Sequence, residues 1–369
     1  MLYLDYAASG LVRQEIAERY ADYCREFSVN PHGGTMQSEK CRRAIMEAER
    51  RLLGCLGIRE QEAHVIWTSG GTEALNLAIH GYGAGEEELY VDGTAHPAML
   101  RPCEHRGHCH VMSVDGKGHV LLPDGNHNSG KSLFCFCHVN NESGATQGLS
   151  SLRQDIDSRG GGRLLVDAAQ SFGKVQIEWR SAKIDMLAVS SRKIGGPASM
   201  GALIVRNGIQ LRPLILGGGQ QGGLRSGTVD TVGGMMFADA AELACAESGT
   251  VFHNIRHLNK MLWDRLASFE KYGFVRISPE DGSPYIASFA FKGYEGAVLK
   301  RILAQDEDIV ISTGSACSAE SGELSHVFKG MGFDDATVRG ALRVSFGHGS
   351  QEGDIIAFLA ALKRTLETY

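Results

Sequence analysis

The sequence predicts an α/β fold: a large domain on a mostly parallel sheet covered by helices, plus a smaller α+β domain drawn mainly from the C-terminal part. Three observations predict it. Apolar strand-length runs alternate with helical periodicities from about residue 63 to residue 205. At 369 residues the chain is long for one compact core and suits two domains. With 43% hydrophobic residues, 22% charged residues and 47 glycines, the composition is that of a globular protein of mixed type rather than a fibrous or disordered one.

Helical periodicity appears first over 13–26 and 38–56, and Ala63 to Thr68 reads as a strand. Thr68-Ser69-Gly70-Gly71-Thr72-Glu73 then reads as a strand end, a small-residue turn and a helix start. Strand-like runs recur at Glu88–Val91, His110–Val114, Leu133–Cys137, Leu164–Val166, Met186–Val189 and Gly201–Val205. A glycine-rich loop follows, Gly217 to Gly223, ending in Leu224-Arg225-Ser226-Gly227-Thr228, and a helical region from 231 to about 270 bridges to the C-terminal unit. That unit has strands at Ile286–Phe291 and Ile309–Ile311, a strand carrying Arg343, and a closing helix over 351–367. The large domain is placed at 13–255, with 1–12 and 256–369 forming the small one.

A formal net charge of -6 supplies no global basic field, which argues against nucleic acid or an anionic membrane as direct partner and favours small molecules. The start, Met1 to Tyr6, lacks the basic and apolar run of a signal peptide, and no apolar stretch is long enough to span a bilayer, so the cytoplasm is expected. Nine cysteines, an odd number scattered through elements, fit reduced thiols. The segment from Cys103 to His110 holds zinc-ligand residue types, yet it reads as a helix end turning into a strand, and no second pair with zinc-finger spacing occurs. No metal is expected.

In sheets of this kind ligands gather beyond the carboxyl ends of the strands, so the polar residues that directly follow strand runs carry the chemistry. Ser190-Ser191-Arg192-Lys193 sets one lysine in a polar, glycine-rich turn between two apolar strands, the setting of a Schiff-base lysine. The Thr68–Glu73 turn aims backbone N–H groups and hydroxyls at one point, which suits a phosphate or an ordinary helix cap. Asp167 ends an apolar run; a carboxylate there needs a cationic or hydrogen-bonding partner, either a protonated pyridine or a structural one. The loop ending at Thr228 offers a second phosphate-contacting element. Cys317, between small and polar neighbours, has the setting of an exposed reactive thiol. Arg343, in an otherwise apolar strand, should find an anion, with a bidentate carboxylate the natural guest and a structural ion pair the alternative.

Taken in order, Tyr3-Leu4-Asp5-Tyr6-Ala7-Ala8, Asn30-Pro31, Thr68 to Glu73, His96, His138-Val139-Asn140-Asn141-Glu142, Val166 to Ser171, Lys193, Arg225 to Thr228, Cys317 and Arg343 resemble the cysteine desulfurases. These are class V, fold-type I pyridoxal phosphate enzymes of the NifS/IscS group, and the resemblance runs through nearly the whole chain. The Ser-x-Gly-Ser-Ala-Cys segment resembles those members with the longer mobile cysteine loop. The resemblance implies that Lys193 forms the Schiff base with pyridoxal 5'-phosphate and Asp167 pairs with the pyridine nitrogen. It further implies that His96 stacks on the ring and assists proton transfer, that Gln170 contacts the phenolic oxygen, and that Asn141 lies near that oxygen and the substrate carboxylate. Arg343 would clamp that carboxylate, and Gly71, Thr72 and Ser190 would hold the phosphate, with Thr228 contributed by the second subunit of a homodimer. The implied reaction converts L-cysteine to L-alanine and leaves the sulfur on Cys317 as a persulfide for an acceptor protein, as in iron–sulfur cluster assembly.

The chain departs from the family pattern at three places. Arg192 stands where these enzymes usually carry His; it can still bind phosphate but cannot shuttle protons near neutral pH. Gly196-Pro197-Ala198-Ser199 replaces Gly-Pro-Lys-Gly, and Gln220 to Gly223 lacks a common Glu-Arg pair. These departures keep two alternatives open: another class V enzyme, such as a selenocysteine lyase, epimerase or aminotransferase, and a weakened, partner-dependent homologue serving as a binding subunit.

Overall fold

The computed structural model describes residues 1–83, 85–125, 131–314 and 323–369. A short strand β1 (Leu2–Tyr3) precedes two helices, α1 (Gln14–Glu26) and α2 (Met36–Cys55). The second begins where Thr35, in extended conformation, accepts a hydrogen bond from the Ser38 N–H at 3.1 Å, satisfying an amide that a helix start leaves open. Next come β2 (Ala63–Thr68) and α3 (Gly71–Gly81), joined at Gly70, whose φ of 155° strongly favours glycine. Strands and helices then alternate: β3 (Leu89–Asp92), α4 (Pro97–Arg106), β4 (Cys109–Met112), β5 (Leu133–Cys137), α5 (Leu149–Ser158), β6 (Arg163–Asp167) and β7 (Met186–Ser190). A one-turn 3-10 helix, Ser191–Ile194, leads into β8 (Gly201–Arg206).

These strands form one seven-stranded sheet in the order β2-β8-β7-β6-β5-β3-β4. From β7 to β4 every pairing is parallel, while β8 runs antiparallel to both β7 and β2. The reversal follows from chain length: the link from Ser191 to Met200 is too short for a parallel crossover, which takes about a dozen residues or more. The expected mostly parallel, helix-covered sheet is therefore present, with the Lys193 turn at its one internal reversal. One face packs Ile66, Leu75, Val91, Leu165 and Leu203, and the other packs Trp67, Phe134, Phe136, Val166 and Leu187. Both faces are buried, which is why these strands read as near-continuous apolar runs.

Helix α6 (Thr231–Leu266) joins this core to a second one. Its Phe237 packs with Trp67, and its Leu258 and Leu262 pack with Leu4, Phe289, Leu342 and Phe358. It ends sooner than its periodicity suggests, passing into a 3-10 segment, Ala267–Tyr272, that Gly273 closes at φ 73°. The rest comprises β9 (Phe274–Arg276), β10 (Ile286–Phe291), α7 (Gly296–Asp306), β11 (Ile309–Val310), α8 (His326–Gly330), α9 (Asp335–Arg339), β12 (Ala341–Ser345) and α10 (Glu352–Thr368). A three-stranded antiparallel sheet runs in the order β12-β10-β9. The first strand of the chain joins this half, with Leu2 opposite Ile309 in a parallel β1-β11 pair.

The Cys103–His110 segment is the end of α4 and the start of β4, as its pattern indicates, and Cys103 Sγ lies 3.9 Å from Cys135 Sγ in the core. Among the described residues no group of three or more His, Cys, Asp or Glu side chains could hold a metal, and no helix is long and apolar enough to cross a membrane.

Candidate active site

Beyond the carboxyl ends of β5, β6 and β7 lies a cavity of about 420 Å³. Nine of the residues singled out from the sequence line it: Gly71, Thr72, His96, Asn141, Asp167, Gln170, Ser190, Lys193 and Arg343. They come from four strand ends, a helix start and the small sheet, and only the fold brings them together.

Lys193 sits in the 3-10 turn after β7, and its Nζ donates to the carbonyls of Ala7 at 2.7 Å and Ala8 at 2.6 Å. Burial pushes its pKa down to about 8, aided by the positive charges of Arg343 and Arg192 and opposed by Asp167 and Asp5. An amine so tuned is neutral, and so nucleophilic, far more often near pH 8 than an ordinary lysine. Asp167, buried at the end of β6, accepts from the Ala169 N–H at 2.9 Å. Burial raises its pKa, with that hydrogen bond and Lys193 acting the other way. It is a carboxylate held in a low-dielectric wall, where a cation is the partner that lowers its cost.

His96 is the N-cap of α4, and its Nδ1 accepts from the Ala98 N–H at 3.0 Å. That contact places the ring proton on Nε2. Burial, then the charge of Lys193, pushes its pKa down to about 4, so the imidazole is neutral at pH 7. Gln170 donates through Nε2 to the Ala7 carbonyl at 2.7 Å. Gly71 opens α3 and Thr72 is exposed in its first turn, beside Ser190. Backbone N–H groups at a helix start, flanked by hydroxyls, suit a phosphate.

Arg343, on β12 and 2% exposed, donates through Nη1 to the Asn141 carbonyl at 2.7 Å and through Nη2 to Asp5 Oδ1 at 2.8 Å. Its buried Nε has no hydrogen-bond partner among the described residues. A guanidinium that lines a cavity can attract an anionic oxygen there.

Two expected cofactor contacts do not line the cavity. Arg192 is exposed, and its Nε donates to Ser9 Oγ at 2.7 Å, so the side chain is turned to the N-terminal segment. The cause is the 3-10 turn, which buries Ser191 and Ile194 and leaves Arg192 on the outer side. Thr228 is also exposed, beyond the loop that Arg225 ties to Glu73 through an Nε contact of 2.7 Å. Cys317 lies outside the described residues. Sequence reasoning gave no role to Asp5, the Ala7 and Ala8 carbonyls, Cys137 or Glu142, all at the site. Glu142 is buried, with a pKa raised by that burial, and accepts from Ser325 Oγ at 2.5 Å.

The residues present fit pyridoxal phosphate: an amine of depressed pKa, a buried carboxylate lining the same cavity, a helix start with hydroxyls, and an arginine that also lines it. The aminotransferase class-V family model matches residues 2–358. A cysteine desulfurase IscS from Archaeoglobus fulgidus is 30% identical over 100% of this chain and 97% of its own length. The solved NifS-like protein from Rickettsia africae superposes with a TM-score of 0.90 at 24% identity, covering 100% of this chain and 99% of that one, which establishes the fold as fold type I. A structure of SspA in complex with cysteine matches at 28% identity and a TM-score of 0.78, covering 94% of this chain and 99% of that one. The chain thus belongs to the class-V aminotransferase family and, within it, to the cysteine desulfurases.

Proposed function

We propose that the cavity converts L-cysteine to L-alanine with pyridoxal 5'-phosphate as cofactor and delivers the sulfur to Cys317 as a persulfide. The observation that carries the reading is that Lys193, Asp167 and Arg343 line one cavity. When bound, pyridoxal phosphate supplies an electron sink for the bonds of the substrate's α-carbon. Lys193 would hold it, Asp167 would face its ring nitrogen, and Gly71, Thr72 and Ser190 would take its phosphate. His96 would cover the ring and Gln170 would meet the phenolic oxygen.

Arg343 binds the substrate carboxylate through its guanidinium, with Asn141 beside it. Released from its Ala7 and Ala8 carbonyl contacts, the Lys193 amine takes a proton from the substrate at Nζ; its depressed pKa makes it a base near neutral pH. His96, neutral with its proton on Nε2, can donate from that atom. The Cys317 thiolate then forms an S–S bond to the substrate sulfur as the Cβ–S bond breaks, and protonation of the remaining carbon skeleton gives alanine.

A homodimer accounts for Thr228. It stands exposed on a loop that also exposes Leu214, Ile215 and Leu216, the last at 80%, a surface that a second subunit would cover while bringing its own Thr228 to the facing site. We assign the large domain to 13–255 and the small domain to 1–12 with 256–369, place the protein in the cytoplasm, and take the acceptor of the persulfide to be a protein.

The test is incubation of the cofactor-loaded protein with L-cysteine and a thiol reductant. Equal amounts of alanine and sulfide are expected, abolished in Cys317→Ala. Turnover that survives Cys317→Ala would move the assignment to another class V reaction. Loss of both products in the wild type would point to a partner-dependent protein.

A further inference from the structure

Lys174 lies outside the machinery described so far, and it is 92% buried, since only 8% of its surface is exposed. It follows Gln170 by four residues in a turn that continues from β6, closed by Lys174 N–H and Val175 N–H bonds to the Ser171 carbonyl, so both side chains project to one side. Its Nζ donates to Gln170 Oε1 at 3.2 Å and stands 5.8 Å from the centre of the Tyr285 ring. Among the described residues no carboxylate pairs with it.

A lysine ammonium can only donate hydrogen bonds, whereas a carboxamide presents an acceptor on one side and a donor on the other. With Oε1 taken by Lys174, the Gln170 amide has one orientation. Its Nε2 is turned the other way, one N–H is spent on the Ala7 carbonyl at 2.7 Å, and the second is the group Gln170 has for the cavity it lines. Were the amide reversed, a carbonyl oxygen would face both the Ala7 carbonyl and the ligand, and an N–H would face an ammonium. Both contacts would be repulsive.

We propose that Lys174 is a positioning residue for the cofactor's phenolic oxygen, holding Gln170 so that it offers that oxygen an N–H rather than a carbonyl. The inference rests on the assignment of Gln170 to the phenolic oxygen made above. Burial and the neighbouring Lys193 push the Lys174 pKa down to about 7, so the donate-only ammonium predominates below that pH, where the orienting contact is strongest and binding is measured. Methionine would fill the same volume without fixing the amide.

The experiment compares binding of two ligands to the cofactor-free protein: pyridoxal phosphate and 3-deoxypyridoxal phosphate, which lacks only the phenolic oxygen. Lys174→Met is expected to weaken pyridoxal phosphate about tenfold, the scale of one hydrogen bond to a charged oxygen, and to leave the deoxy ligand within about twofold. In a Gln170→Met background the same substitution should change neither by more than about twofold, because nothing remains to be oriented. Equal losses for the two ligands, or a full loss in the Gln170→Met background, would overturn the proposal and leave Lys174 a packing residue. If wild-type protein forms no borohydride-reducible adduct with pyridoxal phosphate that Lys193→Ala abolishes, the reading of the site itself fails, and this inference fails with it.

Discussion

Asp5 and Arg343 stand 338 positions apart in the sequence and meet inside the site at 2.8 Å. The guanidinium is 2% exposed on its side chain and the carboxylate 13%, so neither is served by bulk water. In such a place the pair need not stabilise the fold compared with apolar residues, but removing one member leaves a buried charge without its partner. Asp5→Asn keeps the shape and takes away only the charge. Chemical denaturation should show about 3 kcal/mol less stability, the usual cost of orphaning one side of a buried pair. A midpoint equal to wild type would mean that the Asn141 carbonyl alone balances Arg343 and that Asp5 is incidental. Arg343 itself could be found in the sequence because a lone charge in an apolar strand demands an explanation. Its pairing with Asp5 could not, since nothing local ties an aspartate after a two-residue strand to a residue 338 positions away.

The loop between β8 and α6 shows how the elements are fastened. In the sheet order β2 is an edge strand, with one side of its backbone left unpaired by β8. Gln221 occupies part of that side, accepting from the Trp67 N–H at 2.7 Å and donating to the Trp67 carbonyl at 3.0 Å, so its carboxamide acts as a short extra strand. One residue before it, Gln220 accepts from the Gly227 N–H at 2.9 Å and closes the loop on itself. The structure gives Gln221 a job that a carboxylate could not do, because an amide both accepts and donates while a carboxylate only accepts. Gln221→Ala removes the two hydrogen bonds to Trp67 and a longer one to the Arg225 carbonyl, and should lower stability by about 2 kcal/mol, with faster proteolytic cleavage in the 214–223 segment as its local signature. Cleavage at the wild-type rate would show that Arg225 and Glu73 hold the loop without help. The large-sheet strands and the long helices could be read from the sequence because burial on both faces or one face imposes a period. The three residues of β9, the two of β1 and the early end of α6 could not, because such short segments have no period and a 3-10 turn has nearly the same pattern as the helix it follows.

At the scale of the molecule, the site lies where two cores meet, and the N-terminal segment is the strap across them. It pairs with β11 in one half through Leu2 and Tyr3, then crosses to the Lys193 turn in the other, where Gly10 N–H donates to the Arg192 carbonyl at 3.0 Å and Arg13 N–H to the Gly195 carbonyl at 2.9 Å. Between these anchors it presents the Ala7 carbonyl to both Lys193 and Gln170. Arg343 showed as a charge in an apolar strand and His96 came from the resemblance, while strand-end reasoning reached Gly71, Thr72, Asn141, Asp167, Gln170, Ser190 and Lys193 because each belongs to a motif beside a strand or helix end. It could not reach a backbone carbonyl 186 positions from the lysine it binds, since a carbonyl has no residue type to read. What the sequence does carry is Gly10. A Cβ there would stand 2.5 Å from the Arg192 carbonyl oxygen, in backbone that cannot rotate away, so Gly10→Ala must lift the strap. Overpacking of this kind costs about 1–3 kcal/mol, and here the displacement also takes the Ala7 and Ala8 carbonyls from Lys193. The expected result is a lower unfolding temperature together with altered binding of pyridoxal phosphate. Gly34→Ala, at a glycine with no atom within 4 Å of the added Cβ, should change neither. If Gly10→Ala lowers the unfolding temperature but binds pyridoxal phosphate as the wild type does, the strap is a fastening of the fold alone. If both move together, the segment that joins the halves also sets the state of the catalytic amine.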